Sequence, residues 1–93
     1  MIYYQVQGAD SPAKASQTKD ISSGGMCFIS TNSFDKDTIL LIEIHMPISN
    51  DTIEAHGKVI DSKLNQEGKN YETRVAFIDT DPILLIRLQR EIT

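Results

Sequence analysis

The sequence is short of cysteine, and this shortage excludes two kinds of protein. Its 93 residues contain one cysteine, Cys27, which cannot form an internal disulfide and belongs to no metal-binding set. No base lies beside it in the sequence, so we expect a small core residue rather than a catalytic nucleophile. A single free cysteine agrees with a reducing compartment, and the expected location is cytoplasmic.

Basic residues are also scarce. Nine Lys and Arg stand against 13 Asp and Glu, giving a formal net charge of -4. Proteins that bind nucleic acid generally carry a basic face that displaces counterions from the phosphate backbone, so we expect no nucleic-acid partner. An acidic net charge does not exclude a small anion held in a local pocket.

Long hydrophobic runs and catalytic motifs are missing as well. The longest apolar stretch, residues 39–42, ends at Glu43, far short of the roughly 20 residues of a membrane helix. The N-terminus lacks a signal-peptide pattern, and we expect no membrane insertion. The chain has no phosphate-binding loop, no nucleophile elbow and no metal-protease signature. His45 and His56 lie on separate predicted strands without a third metal ligand, so we predict neither an enzyme nor a metal site.

Short alternating segments separated by turn residues predict one all-β domain over residues 1–93. Six strands are predicted at residues 2–7, 17–21, 26–31, 39–46, 52–64 and 71–78, with residues 8–16 as a loop. The last two strands should each place alternate residues on one face: Ile53, Ala55, Gly57 and Val59, then Tyr71, Thr73, Val75 and Phe77. These strands suit a small antiparallel barrel.

After Asp81-Pro82 the apolar residues recur at the spacing of a helix instead of a strand. A capping residue followed by proline is a helix start signal, and Leu84, Leu85, Leu88 and Ile92 recur at helical spacing. The expected fold class is therefore all-β, a six-stranded antiparallel barrel with a short C-terminal helix.

One turn carries the most informative motif. Residues 20–25, Asp-Ile-Ser-Ser-Gly-Gly, fit the D-x-S-x-x-G pattern of PilZ domains and lie, as in that family, between the second and third strands. A strand ending at Pro47 and the segment Arg74-Val75-Ala76-Phe77 before a terminal helix are similar to the family too. The chain resembles PilZ domains over nearly its whole length, and a six-stranded PilZ-like barrel is expected.

The resemblance implies a ligand, cyclic di-GMP, bound by Asp20, Ser22 and Gly25, with Ser23 and Gly24 as auxiliary residues. The chemistry suits that role. A carboxylate can accept the two N–H donors on the Watson–Crick edge of guanine, and glycine lets the backbone approach a ligand closely. No further cofactor is implied.

The sequence departs from the family pattern in its arginines. PilZ receptors also use an R-x-x-x-R arm before the first strand, and here no arginine precedes Arg74. Either the arm lies upstream in a longer parent protein, or the domain does not bind the nucleotide and acts only through a protein partner. A protein partner is expected in both cases. Arg74, where many members have glycine, is either an exposed strand residue or a partial substitute for the arm.

Overall fold

The structure, a computed structural model, describes residues 1–10, 12–22 and 24–92, and the helix side chains at residues 82–87 and 90. These described residues form seven strands and one helix. Their bounds are Ile2–Val6 (β1), Lys14–Ser16 (β2), Thr18–Ile21 (β3), Gly25–Ser30 (β4), Ile39–His45 (β5), Thr52–Leu64 (β6), Tyr71–Ile78 (β7) and Pro82–Ile92 (α1).

All neighbouring strands are antiparallel, in the order β2-β1-β5-β6-β7-β4-β3. The two outermost strands, β2 and β3, are separated in the chain by Gln17 alone. At this bend the Ile29 amide donates to the Gln17 carbonyl over 3.4 Å. The Ser16 hydroxyl donates to the Ile29 carbonyl. One bent segment thus pairs with β1 and then with β4, which nearly closes the sheet into a barrel and protects its edges.

The structure confirms the antiparallel barrel with a terminal helix, but the predicted strand count of six was too low by one. The additional strand, β2, lies inside the predicted loop at residues 8–16. Its residues are Lys14, Ala15 and Ser16, which have no apolar alternation and are exposed or half-buried. Backbone pairing with β1 makes this segment a strand, and a pattern of side chains cannot reveal it.

The core follows the alternation of the strands. In β6 the predicted inward face is confirmed, since Ile53, Ala55, Gly57 and Val59 are all buried. In β7 Thr73 and Val75 are buried, with Tyr71 and Phe77 half-buried on the same face. The other strands contribute inward side chains of the same kind: Ile2, Tyr4, Met26, Phe28, Leu40, Ile42 and Ile44.

A chain of hydroxyl groups crosses the barrel interior from β6 to β4. The Phe34 amide donates to Ser62 Oγ over 3.1 Å, and Ser62 Oγ lies 2.7 Å from Thr73 Oγ1. Thr73 Oγ1 lies 2.8 Å from Ser30 Oγ, which donates to the Asn32 carbonyl over 2.8 Å. Because the single hydroxyl hydrogen of Ser30 is donated to Asn32, Ser30 accepts from Thr73. Thr73 in turn accepts from Ser62. The hydrogen-bond chain satisfies the buried hydroxyls and ties the first part of the β4–β5 connection, at Asn32 and Phe34, to the sheet.

The helix begins as predicted. The Asp81 carboxylate accepts the Ile83 amide over 2.9 Å, as an N-cap residue does, and Pro82 opens the helix. Leu85 is buried and Leu84 packs on the core. Leu88 and Ile92, predicted for the same face, have side chains outside the described part. No helix among the described residues is long and apolar enough to cross a membrane.

Candidate functional site

The turn between β3 and β4 is held by backbone hydrogen bonds. The Ser22 amide donates to the Gly25 carbonyl over 2.9 Å, and the Phe77 amide donates to the Gly24 carbonyl over 2.9 Å. Ser22 Oγ accepts the Gly24 amide over 3.3 Å. The turn is therefore closed on itself and fastened to the end of β7. Ser23, predicted as an auxiliary ligand residue, lies outside the described residues.

The two glycines of this turn have different surroundings. A Cβ atom at Gly25 would lie 2.2 Å from the Val75 carbonyl oxygen, whereas a Cβ atom at Gly24 would meet nothing within 4 Å. Sequence reasoning assigned both glycines to close approach by a ligand. The structure shows a second reason for glycine at residue 25: the backbone of β7, at Val75, is too close to leave room for a side chain.

Strand register places four side-chain positions in one line across the outside of the barrel. Asp20 pairs with Cys27, Cys27 with Arg74, and Arg74 with Asp61. We call these four residues the outer row. Residues directly opposite in antiparallel strands have Cβ atoms about 4.5 to 5.5 Å apart. In this row only Cys27 stands between Arg74 and Asp20 of the D-x-S-x-x-G turn, although Arg74 and the turn lie far apart in sequence.

Two β-bulges flank the outer row. The register shifts between Thr18 and Asp20 in β3 and between Val59 and Asp61 in β6, leaving Lys19 and Ile60 as the extra residues. Before the second bulge the odd-numbered residues of β6 face inward, as buried Val59 does, and after it the even-numbered Ser62 faces inward and joins the hydroxyl chain. Ile60 and Asp61 consequently both face outward. Bulges next to a binding site commonly re-aim side chains in this way.

The turn and three residues of the outer row, Asp20, Cys27 and Arg74, line an open groove of about 290 Å³. Asp61, the fourth residue of the row, pairs with Arg74 beside the groove. The structure places five of the predicted site residues together in its lining: Asp20, Ser22, Gly24, Gly25 and Arg74. Sequence reasoning missed the other lining residues, of which Cys27 and Ile60 are the two with outward-facing side chains. No local signal marks Ile60, because its outward position depends on the bulge.

Cys27 was expected in the core, and that expectation was wrong. Its neighbours Met26 and Phe28 point inward, so the pleat sends Cys27 outward, where adjacent side chains leave it half-buried. The alternation of residues 26–31 contained this signal.

Two ion pairs lie in or beside the groove, Arg74–Asp61 and Lys19–Glu72. Arg74 Nε lies 3.1 Å from Asp61 Oδ1, and Arg74 Nη2 lies 2.5 Å from Asp61 Oδ2. The hydrogen bond from Arg74 lowers the pKa of Asp61, and Asp61 raises the pKa of Arg74. Lys19 Nζ contacts Glu72 Oε1 at 2.6 Å, which raises the pKa of Lys19. Among the described residues, the Asp20 carboxylate has no hydrogen-bond partner.

The groove cysteine should react slowly. Burial raises the pKa of the Cys27 thiol, with the nearby Glu72 carboxylate adding to the shift. The reactive thiolate is therefore scarcer at pH 7.5 than in an unhindered cysteine. We expect iodoacetamide to alkylate Cys27 several-fold more slowly than free glutathione, with a rate that rises through a higher pH range. Mass spectrometry across pH 6.5 to 10 measures this, and a rate equal to that of glutathione would contradict it.

No group of three or more His, Cys, Asp or Glu residues in residues 1–10, 12–22 and 24–92 is arranged to hold a metal ion. The groove lining offers one carboxylate, one hydroxyl, one guanidinium and the backbone of a glycine turn for hydrogen bonding.

The fold and the groove define a class of small antiparallel β-barrel domain with a surface groove beside a D-x-S-x-x-G turn and a helix after the last strand. The family model described as PilZ domain matches residues 1–93, the whole chain. The chain belongs to the PilZ domain family. Comparison with curated proteins finds no match, and comparison with solved structures also finds none.

Proposed function

We propose that this domain is a sensor and adaptor that binds cyclic di-GMP in the groove and passes the signal to a protein partner. The observation that carries the proposal is the convergence of Asp20, Ser22, Gly24 and Arg74 on one groove, in a chain that belongs to a family of the cyclic di-GMP-binding type. The roles follow from the hydrogen-bonding capacity of each group.

Asp20 is suited to guanine. Its carboxylate is exposed and has no hydrogen-bond partner among the described residues, so a ligand does not have to displace an internal contact. Two acceptor oxygens match the N1–H and N2–H donors of a guanine edge. Arg74, two strands away in the outer row, provides a guanidinium of the kind that binds phosphate oxygens by two parallel hydrogen bonds.

The size of the groove limits how much ligand it can hold. Its volume of about 290 Å³ is just below the roughly 300 to 1,000 Å³ of pockets that enclose drug-sized ligands. The groove therefore suits one guanine with its phosphate. The rest of a cyclic dinucleotide would remain open to a second contact, from an arginine-bearing arm or from a partner protein, and such a contact would couple ligand occupancy to partner binding.

The direct test is an amide NMR titration with cyclic di-GMP, with GTP as the control nucleotide. Support would be saturable shifts in the turn at residues 20–25 and in the outer row, absent with GTP. No shift with either nucleotide at millimolar concentration would overturn the proposal for this chain.

Replacing Asp20 with alanine should weaken cyclic di-GMP binding at least tenfold. Hydrogen bonds to a charged group contribute about 1.5 to 3 kcal/mol, and about 1.4 kcal/mol corresponds to a factor of ten. Asp10→Ala is the matched control, because Asp10 is an exposed aspartate outside the groove lining. Isothermal titration calorimetry compares the two. Equal losses for both variants, or no loss at Asp20, would remove Asp20 from the binding site.

A second candidate function is a PilZ domain that acts only through a protein surface. Two observations favour it: Arg74 is already paired with Asp61, and three isoleucines near the helix are strongly exposed, Ile48, Ile83 and Ile86. Exposed apolar clusters commonly mark interaction sites. A flat titration with cyclic di-GMP, combined with loss of a partner's binding in Ile83→Ser, would favour this function.

A further inference from the structure

Charge balance in the outer row opposes an anionic ligand. The row holds two carboxylates, Asp20 and Asp61, and one guanidinium, Arg74. The adjacent Lys19–Glu72 ion pair adds no net charge. Each phosphate of a cyclic dinucleotide adds one further negative charge. The groove therefore needs cationic hydrogen-bond donors for a phosphate, and Arg74 is the cation in its lining.

Asp61 occupies one edge of the Arg74 guanidinium. The contacts from Nε and Nη2 to the two oxygens of Asp61 use one edge of the guanidinium in a two-point pair. Such a pair has the geometry with which arginine binds a phosphate. A carboxylate and a phosphate would thus compete for this edge of the guanidinium. The β6 bulge creates this competition, because it turns Asp61 outward opposite Arg74.

We infer that Asp61 is an internal counter-ion that competes with the ligand phosphate for Arg74 and thereby holds the affinity of the groove low. This inference rests on the proposed cyclic di-GMP function and adds a specific regulator of that site. Ligand binding would transfer the Arg74 guanidinium from the Asp61 carboxylate to a phosphate. The domain would then respond only to ligand concentrations high enough to meet the cost of that exchange.

The exchange has a modest cost, since Arg74 is exposed and Asp61 is only partly covered. Exposed ion pairs contribute little to stability, so the pair can yield to a ligand. Removing the Asp61 charge also removes its repulsion toward the phosphate. Asp61→Asn should therefore tighten cyclic di-GMP binding by about threefold to tenfold.

A double-mutant cycle separates this competition from a general change in charge. The variants are Asp61→Asn, Arg74→Gln and the double variant, measured with cyclic di-GMP by calorimetry at one fixed ionic strength. In the Arg74→Gln background the gain from Asp61→Asn should fall below about twofold, because no guanidinium remains to be released. Asp51→Asn is the matched control, as it breaks the exposed Asp51–Arg87 pair at the helix and removes the same charge.

Each outcome decides the inference. Tightening in Asp61→Asn that depends on Arg74 and is absent in Asp51→Asn supports it, including the case in which only Asp61→Asn binds measurably. Wild-type binding that is unchanged in Asp61→Asn overturns the counter-ion role and leaves the proposed function intact. Equal tightening with and without Arg74 also overturns it. If no variant binds at millimolar ligand while each retains a folded amide spectrum, both proposals fail.

Discussion

Replacing Gly25 with alanine is expected to destabilise the domain by about 3 kcal/mol, at the upper end of the usual cost of overpacking. The added Cβ would lie 2.2 Å from the Val75 carbonyl oxygen and 3.3 Å from the Ala76 Cα atom. Both are backbone atoms and cannot rotate away. The two strands would have to separate where Gly25 pairs with Ala76, with loss of hydrogen bonding beside the turn.

Gly24→Ala is the matched control for that prediction. It makes the same chemical change one residue away, where a Cβ would meet nothing within 4 Å and the φ angle is not in the left-handed region. Its effect should be between zero and a stabilisation of about 1 kcal/mol. Urea unfolding of both variants measures the difference, and equal stabilities would show that β4 does not need glycine at residue 25.

This comparison also affects how ligand-binding data should be interpreted. A loss of cyclic di-GMP binding in Gly25→Ala would not identify Gly25 as a ligand contact, because β4 carries Cys27 of the outer row and would shift with the clash. Binding by Gly24→Ala is the more informative measurement. Gly24 belongs to the groove lining, and an alanine methyl there would meet nothing within 4 Å, so the strands would not have to move.

Thr73→Val is expected to destabilise the domain by about 1 to 3 kcal/mol, although the two side chains have similar shapes. Thr73 is fully buried and both accepts from Ser62 and donates to Ser30. Valine removes both interactions in the middle of the chain. Ser62 then loses its acceptor and Ser30 loses its donor, which costs more than removing an isolated hydrogen bond.

Two comparisons test the hydroxyl explanation. Thr73→Ser keeps the hydroxyl and should retain the hydrogen-bond chain, with only the smaller cost of a lost methyl group. Thr52→Val makes the same change at an exposed position in β6 and should change stability by less than about 0.5 kcal/mol. Thermal unfolding measures all three, since 1 kcal/mol corresponds to about 4 to 8 °C in a domain of this size. A Thr73→Val variant as stable as wild type would contradict the role of the chain.

The parts of the fold that sequence analysis predicted are those set by neighbouring residues. Alternation identified six of the seven strands, because burial on one face of a strand requires apolar side chains at every second residue. Asp81 and Pro82 marked the helix start, because an N-cap and a fixed φ act within one turn of the chain. Strand β2 was missed, because exposed residues of its kind become a strand only through backbone pairing.

The candidate site likewise has one part that the local sequence specifies and one part that depends on the tertiary structure. The turn at Asp20, Ser22, Gly24 and Gly25 could be read from its local motif, as a turn depends on a few adjacent residues. The line from Asp20 through Cys27 and Arg74 to Asp61 could not. It depends on the register of four strands and on two bulges, and a shift of one residue would turn any of these side chains to the opposite face. Local chemistry thus specified the turn, and long-range backbone pairing decided which charges stand beside it.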